Sequence, residues 1–238
     1  MIGDKIIILE KTNSTNDYLK KNYENFINGT VVVAIEQING KGRKGRTWYS
    51  PKGGLWFSIL LKPKKNISPH FFTKLSSITI IKILKKYKVD AQIKWPNDIY
   101  VNNKKLAGIL TESEYKNSKL LALIVGIGIN INNEIPNELK DIAVSLSEVI
   151  GKNINISNFL NLFLKRFNTY YLKYRKTPHI LTRIWKKFLT FKEGDSIKPN
   201  KENYIIEKIE DDYIIISNGL KKKKITSIHE LEKEEFDD

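Results

Sequence analysis

Apolar and polar positions alternate along this chain in blocks of two kinds. Lys5–Glu10 reads as a short strand. A helical stretch to about Tyr23 follows, headed by Asn13-Ser14-Thr15-Asn16-Asp17, residue types whose side-chain oxygens cap helices. Gly29 closes this unit. Thr30–Glu36 and Leu55–Leu61 are nearly unbroken apolar runs, which predicts buried strands. Phe71–Tyr87 places apolar residues at helical spacing and predicts a helix with its lysines on the other face. Ala91–Lys94, Ile99–Val101, Lys105–Glu112 and Leu120–Ile131 predict further strands, with Asn102-Asn103 and Lys116-Asn117 supplying turns. Phe159–Tyr174 and His179–Phe188 predict helices.

The texture changes near residue 190. Phe191–Asp238 alternates short apolar runs (Ile197, Tyr204–Ile206, Tyr213–Ile216, Ile225) with the turn residues Asp211-Asp212 and Asn218-Gly219. This predicts a small all-β module of roughly 45 residues, a size at which burial alone is marginal, so it is expected to pack on the main domain. The acidic tail Glu232–Asp238 is expected to fray. The most apolar run, Leu120–Ile129, is about half the ~20 residues that cross a bilayer. Met1-Ile2-Gly3-Asp4-Lys5 lacks the layout of a signal peptide. A cytoplasmic protein without a membrane partner is expected.

Composition changes the picture mainly by exclusion. At 41% hydrophobic and 28% charged, the 238 residues are neither largely disordered nor collagen-like. The chain has no cysteine, which excludes disulfides, iron–sulfur clusters, cysteine zinc sites and thiol catalysis. His70, His179 and His229 stand outside any metal-ligand spacing. Lys+Arg number 41 against 26 Asp+Glu, a net charge of +15 that suits nucleic acid, a membrane surface or an anionic substrate. Lys, Asn and Ile are abundant throughout, so the charge reads first as composition and selects no ligand.

Candidate chemistry gathers in three places. Gly40, Gly42 and Gly45 form a literal G-x-G-x-x-G, but Pro51, Gly53 and Gly54 forbid the helix that a dinucleotide site requires. The same stretch nearly matches a P-loop, with Arg46 where lysine is obligatory and again no helix. The loop's physics is still that of an anion site: glycines open the backbone to phosphate, and Lys41, Arg43, Lys44 and Arg46 supply charge. Such a loop repels itself and is expected to order on an anion, with Trp48 placed to stack on a base. The second place is Lys94-Trp95-Pro96-Asn97-Asp98 with Lys104-Lys105-Leu106-Ala107-Gly108-Ile109-Leu110, an apolar hairpin carrying a lysine and an aspartate. The third is Gly126-Ile127-Gly128-Ile129-Asn130, whose small residues are expected to let a flat ligand approach the sheet.

Together with Ser14-Thr15-Asn16, Gln37 and Ser50-Pro51-Lys52-Gly53-Gly54-Leu55, these pieces resemble the biotin protein ligases. They occur in that family's order from Ser14 to Asn130. The resemblance implies an α+β fold: a class-II-synthetase-like central mixed β-sheet flanked by helices, and a small C-terminal Src-homology-3-like β-barrel. The expected domains are a catalytic 1–189 and a small 190–238. The implied reaction activates biotin with ATP to biotinyl-5′-AMP, then passes biotin to a lysine of a biotin carboxyl carrier domain. Mg²⁺ is expected with ATP, without an all-protein metal site.

Residue by residue, Lys105 matches the lysine that touches both the biotin carboxylate and the α-phosphate, and Arg43 the arginine that retains the adenylate. Arg46, Trp48 and Asn130 match nucleotide contacts. Ser14, Thr15 and Gln37 match the ureido end of biotin, and Asn16, Lys41, Gly42 and Gly108 complete that site. Asp98 is the candidate for the transfer step, where a carboxylate near the anhydride orients or deprotonates the incoming amine. Lys41 departs from the family's usual arginine, keeping charge and losing the bidentate fork. With Ser14 so near the start, no room is seen for the DNA-binding domain of some members, so a ligase without specific DNA binding is expected. A homodimer through the central sheets is implied. The rival readings are a lipoate–protein ligase, whose Arg-Arg-x-Ser-Gly-Gly-Gly motif is not found, and a basic nucleic-acid-binding protein using Lys82, Lys85, Lys86 and Lys221–Lys224.

Overall fold

Seven strands make one mixed sheet in the order β1-β2-β3-β7-β6-β5-β4 in the computed structural model, which describes residues 1–63, 67–199 and 202–232. The strands are β1 (Ile6–Thr12), β2 (Val31–Gln37), β3 (Leu55–Leu61), β4 (Gln92–Lys94), β5 (Asp98–Val101), β6 (Lys104–Lys116) and β7 (Lys119–Ile129). β1 and β2 are parallel, joined through helix α1 (Thr15–Asn22), and the other neighbours are antiparallel. The apolar run of β3, interrupted only by Ser58, occupies the sheet interior with every residue buried. The predicted Asn102-Asn103 turn forms, and the one expected at Lys116-Asn117 centres one residue further on, at Asn117-Ser118. Asn102-Asn103 and Asn117-Ser118 all have positive φ, a conformation that asparagine tolerates and that suits tight hairpins.

The two faces of the sheet are unlike. α1 covers one, packing Leu19 on Val32, Leu60, Ala122 and Ile124. The other carries α2 (Pro69–Leu84), α4 (Ile156–Tyr174) and α5 (Pro178–Lys186) over the main core, where Phe57 meets Phe163 edge-on at 5.1 Å. α2 is more deeply enclosed than an amphipathic reading predicts, and its lysines do not all face outward. Lys74 is buried, with Nζ 2.5 Å from Asp211 Oδ1 and donating to Thr182 Oγ1 at 2.8 Å. A buried ammonium requires such a counter-charge, and here it comes from the C-terminal module. A five-residue helix absent from the sequence reading, α3 (Leu146–Ile150), is fixed by a Ser145/Glu148 capping box and ended by Gly151 at φ 71°.

Beyond α5, β8 (Ser196–Ile197), β9 (Tyr204–Ile209), β10 (Ile214–Ser217) and β11 (Lys222–Ile225) form a four-stranded antiparallel sheet, followed by the helical turn α6 (His229–Glu232). Tyr204, Ile206, Ile209, Ile214, Ile216 and Ile225 are buried in continuity with the main core. The β9–β10 turn docks through Lys74–Asp211, through His70 Nε2 at 3.0 Å from Asp212 Oδ1, and through Trp95 Nε1, which donates to the Glu210 carbonyl at 2.9 Å. The tail expected to fray lies, past Glu232, outside the described residues. Among the described residues no helix is long and apolar enough to cross a membrane.

Candidate functional site

The site lies on the α1 face of the sheet. The start of α1 is knitted to β2 and β3 by polar groups. Thr15 donates to Gln37 Oε1 from its backbone nitrogen (2.8 Å) and from Oγ1 (3.1 Å). Gln37 Nε2 donates in turn to Ser50 Oγ at 2.9 Å. The buried Ser58 Oγ sits 2.6 Å from both Thr15 Oγ1 and Asn16 Oδ1, while Asn16 Nδ2 donates to Glu112 Oε2 at 2.7 Å. Ser14 caps α1, accepting from the Asp17 nitrogen at 3.5 Å, so the bland role of this cluster and a lining role coexist.

The glycines of β6 and β7 do open a gap, but side chains of the protein itself fill it. A Cβ at Gly126 would stand 2.2 Å from Asn16 Oδ1, and one at Gly128 2.6 Å from Trp48 Nε1. At Gly108 it would meet Trp48 Cζ3 at 3.0 Å and Asp98 Oδ1 at 3.3 Å. In the ligand-free chain the missing side chains of these glycines seat Asn16 and Trp48 against the sheet. Trp48 also packs edge-on to Trp56, and its buried indole nitrogen has no hydrogen-bond partner among the described residues.

The glycine-cation loop folds into a tight turn. Lys41 bridges to Thr47, the Gly42 nitrogen donates to the Arg46 carbonyl at 2.7 Å, and Lys44 and Gly45 take positive φ. Lys41 Nζ lies 2.6 Å from Asp17 Oδ1, and Arg43 Nη1 donates to Asn97 Oδ1 at 3.2 Å. Across from the loop, Lys105 Nζ sits 2.7 Å from Asp98 Oδ2 and 4.9 Å from the centre of the Trp48 ring. The backbone of Lys105 is clamped by Ile142 and Val144, a segment that carries no local signal for this position.

Of the residues given a catalytic or binding role from sequence, all but Asn130 line one cleft of about 150 Å³. That volume is below the roughly 300–1,000 Å³ of small-molecule sites, Trp48 and the loop side chains taking up space within it. Asn130 is buried behind the wall, its Oδ1 accepting from Asn133 Nδ2 at 3.2 Å. Three wall residues escaped the sequence reading: Thr226, Ser227 and Ile228, brought in by the C-terminal module. Lys41, Arg43, Arg46 and Lys105 therefore converge on a slot with a polar end at α1 and an aromatic wall at Trp48. Such a site suits an anion joined to a partly apolar body.

Residues 8–130 match the Biotin/lipoate A/B protein ligase family. The chain is 37% identical over 192 residues to the bifunctional ligase/repressor BirA of Bacillus subtilis, covering 76% of this chain and 57% of that protein. It is 32% identical over 172 residues to biotin–protein ligase 2 of Arabidopsis thaliana, covering 64% of this chain and 52% of that one. The chain thus spans little more than half the length of these curated relatives. Among solved structures, the biotin protein ligase from Aquifex aeolicus in complex with biotin and ATP superposes with a TM-score of 0.78 at 31% identity, over 94% of this chain and 96% of that one. Its large mixed sheet and smaller antiparallel sheet match that architecture, its glycine-cation loop and Lys105 meet in one cleft, and the chain belongs to the Biotin/lipoate A/B protein ligase family.

Proposed function

We propose that the chain is a biotin protein ligase. In the first step the biotin carboxylate attacks the ATP α-phosphate, giving biotinyl-5′-AMP and pyrophosphate. In the second a carrier lysine amine attacks the anhydride carbonyl, forming an amide and releasing AMP. The observation that carries this reading is the convergence of Lys105, Arg43 and Arg46 on one slot beside the Thr15–Gln37 polar network. Joining two anions raises negative charge at phosphorus, and preorganised cations in a narrow cleft lower that barrier. Lys105 bridges carboxylate and α-phosphate, Arg43 and Arg46 hold phosphate oxygens, and Trp48 offers its ring to the base. Ser14, Thr15, Asn16 and Gln37 receive the ureido end, with Lys41, Gly42 and Gly108 completing the biotin pocket. Asn130 reaches the nucleotide from behind the wall.

Asp98 serves the transfer step. Its carboxylate, already paired with one ammonium at Lys105, is suited to guide a second, the incoming carrier lysine, and to take its proton. Among the described residues no three acidic or histidine side chains converge on a metal position. Mg²⁺ is expected to enter with the nucleotide phosphates, and no residue is named as its ligand.

The same reading divides the chain into a catalytic 1–189 and a module 190–238 of Src-homology-3-like barrel type, a reading supported by its antiparallel four-strand order and inward apolar residues. It places the protein in the cytoplasm, with a biotin carboxyl carrier domain as protein substrate. It also makes it a homodimer through the central sheets, a reading supported by the exposed Ile8 on β1 and Ile35 on β2. ATP–pyrophosphate exchange tests the function with biotin or lipoate as the acid. Biotin-dependent exchange that disappears in Lys105→Ala supports it; exchange with lipoate alone overturns the substrate, and exchange with neither overturns the activity.

A further inference from the structure

The loop from Gly40 to Thr47 contains Lys41, Arg43, Lys44 and Arg46 and no carboxylate. Four like charges in so short a turn repel one another, so its fold depends on partners outside it. Among the described residues the loop has one ion-pair partner, Asp17, 2.6 Å from Lys41. Asp17 stands in the first turn of α1 and is not part of the cleft wall. On the opposite bank, Arg43 reaches Asn97 at the β4–β5 turn. The loop is thereby fastened across the cleft at two points, one on each side.

We propose that Asp17 latches the glycine-cation loop over the cleft through Lys41. The chemistry of the pair accounts for lysine at this position. One carboxylate oxygen, Oδ1, faces a single ammonium, a contact that needs a point donor rather than a planar fork. Both partners remain partly exposed, at 45% and 25% of their side-chain surface, so the latch is of a strength that opens and closes readily. Asp17 is a positioning residue: it acts on the site through Lys41. Its consequence for the reaction rests on the ligase reading above. A loop that opens more often lets a bound adenylate escape sooner, so Asp17 sets how long the intermediate waits for its carrier.

Amide hydrogen exchange of the ligand-free protein tests the latch without reference to any activity. Exchange across 40–47 is expected to run roughly two- to fivefold faster in Asp17→Asn, the range for an exposed pair. Lys41→Met, which leaves the charge pattern of α1 intact, is expected to give the same acceleration, and the double variant no more than either single. Asp17→Glu restores protection, and raised salt accelerates the wild type alone. Unchanged exchange in Asp17→Asn overturns the latch. So does a double variant that multiplies the two effects, or an acceleration equally large across 15–22, which is fraying of α1. Release of preformed labelled adenylate is then expected to accelerate by the same factor in Asp17→Asn. A chain that forms no adenylate defeats the ligase reading and leaves the latch to stand or fall on exchange.

Discussion

Lys105 and Asp98 face each other at 2.7 Å from the starts of adjacent strands, β6 and β5. On the ligase reading proposed above, the pair joins the residue assigned to adenylation to the one assigned to transfer. Each side chain is still about a quarter to a third exposed, at 30% and 25%, and so reachable from the cleft.

Removing the cation and neutralising the anion are therefore expected to separate the half-reactions. Lys105→Ala lowers biotin-dependent pyrophosphate exchange by about 10²-fold or more, the effect of deleting one charge-stabilising donor. Asp98→Asn leaves exchange within a few fold and slows transfer to a carrier domain by roughly 10²-fold. Equal losses in both assays contradict this division.

Gly126 is expected to reject even a methyl group. The Cβ of an alanine would stand 2.2 Å from Asn16 Oδ1, forcing that amide off Ser58 and Glu112. Gly126→Ala is expected to cost about 1–3 kcal/mol in urea unfolding, as overpacked cores do, and to weaken biotin binding more than ATP binding. Equal KM values for biotin in variant and wild type would count against the Asn16 network as part of the biotin end.

The buried Lys74 ammonium makes the docking of the C-terminal module measurable. Asp211→Ala leaves that charge without its counter-ion and is expected to destabilise by about 3–5 kcal/mol. Replacing both, Lys74→Met with Asp211→Ala, recovers most of the loss, because no unpaired charge remains. A double variant as unstable as Asp211→Ala would show that the pair holds the hairpin by something other than charge.

Glu193 ties the same module to α5. The hydrogen bond from Lys186, and after it the Ile209 amide, holds its carboxyl below the ordinary 4.5. A depressed folded value means that the carboxylate stabilises the native state above the unfolded value of 4.5 and loses that contribution as pH falls through the lower folded value. Urea midpoints of wild type and Glu193→Gln are expected to differ at about pH 6 and to converge at about pH 3. A constant gap would mean that Glu193 acts without its charge.

That the candidate site residues share one cleft was legible because their signals are local. Gly40 to Arg46 combines residues that no core or surface helix would use, and Asn102-Asn103 and Lys116-Asn117 mark, to within one residue, the hairpins that carry Lys105 and Gly126. What stayed hidden is long-range. Nothing near Lys74 in the chain announces Asp211, and a lysine at helical spacing reads as solvent-facing until its partner arrives. Thr226 to Ile228 look like any strand end, and they join the wall only because the β9–β10 turn docks beside Trp95. The small residues Gly126 and Gly128 are visible in sequence, but not that Asn16 and Trp48 pack against them in the ligand-free chain.

The hydrogen bond from Trp95 to Glu210 also sets a clock. The two residues are 115 positions apart, and at about 5–20 residues per second of synthesis this is roughly 6–23 s. Throughout that interval on the ribosome, the indole that backs the cleft has no acceptor and Thr226 is not yet made. The nascent chain can gather its seven strands early, yet its reactive cations stay in an unfinished chamber until the module that closes it has been translated.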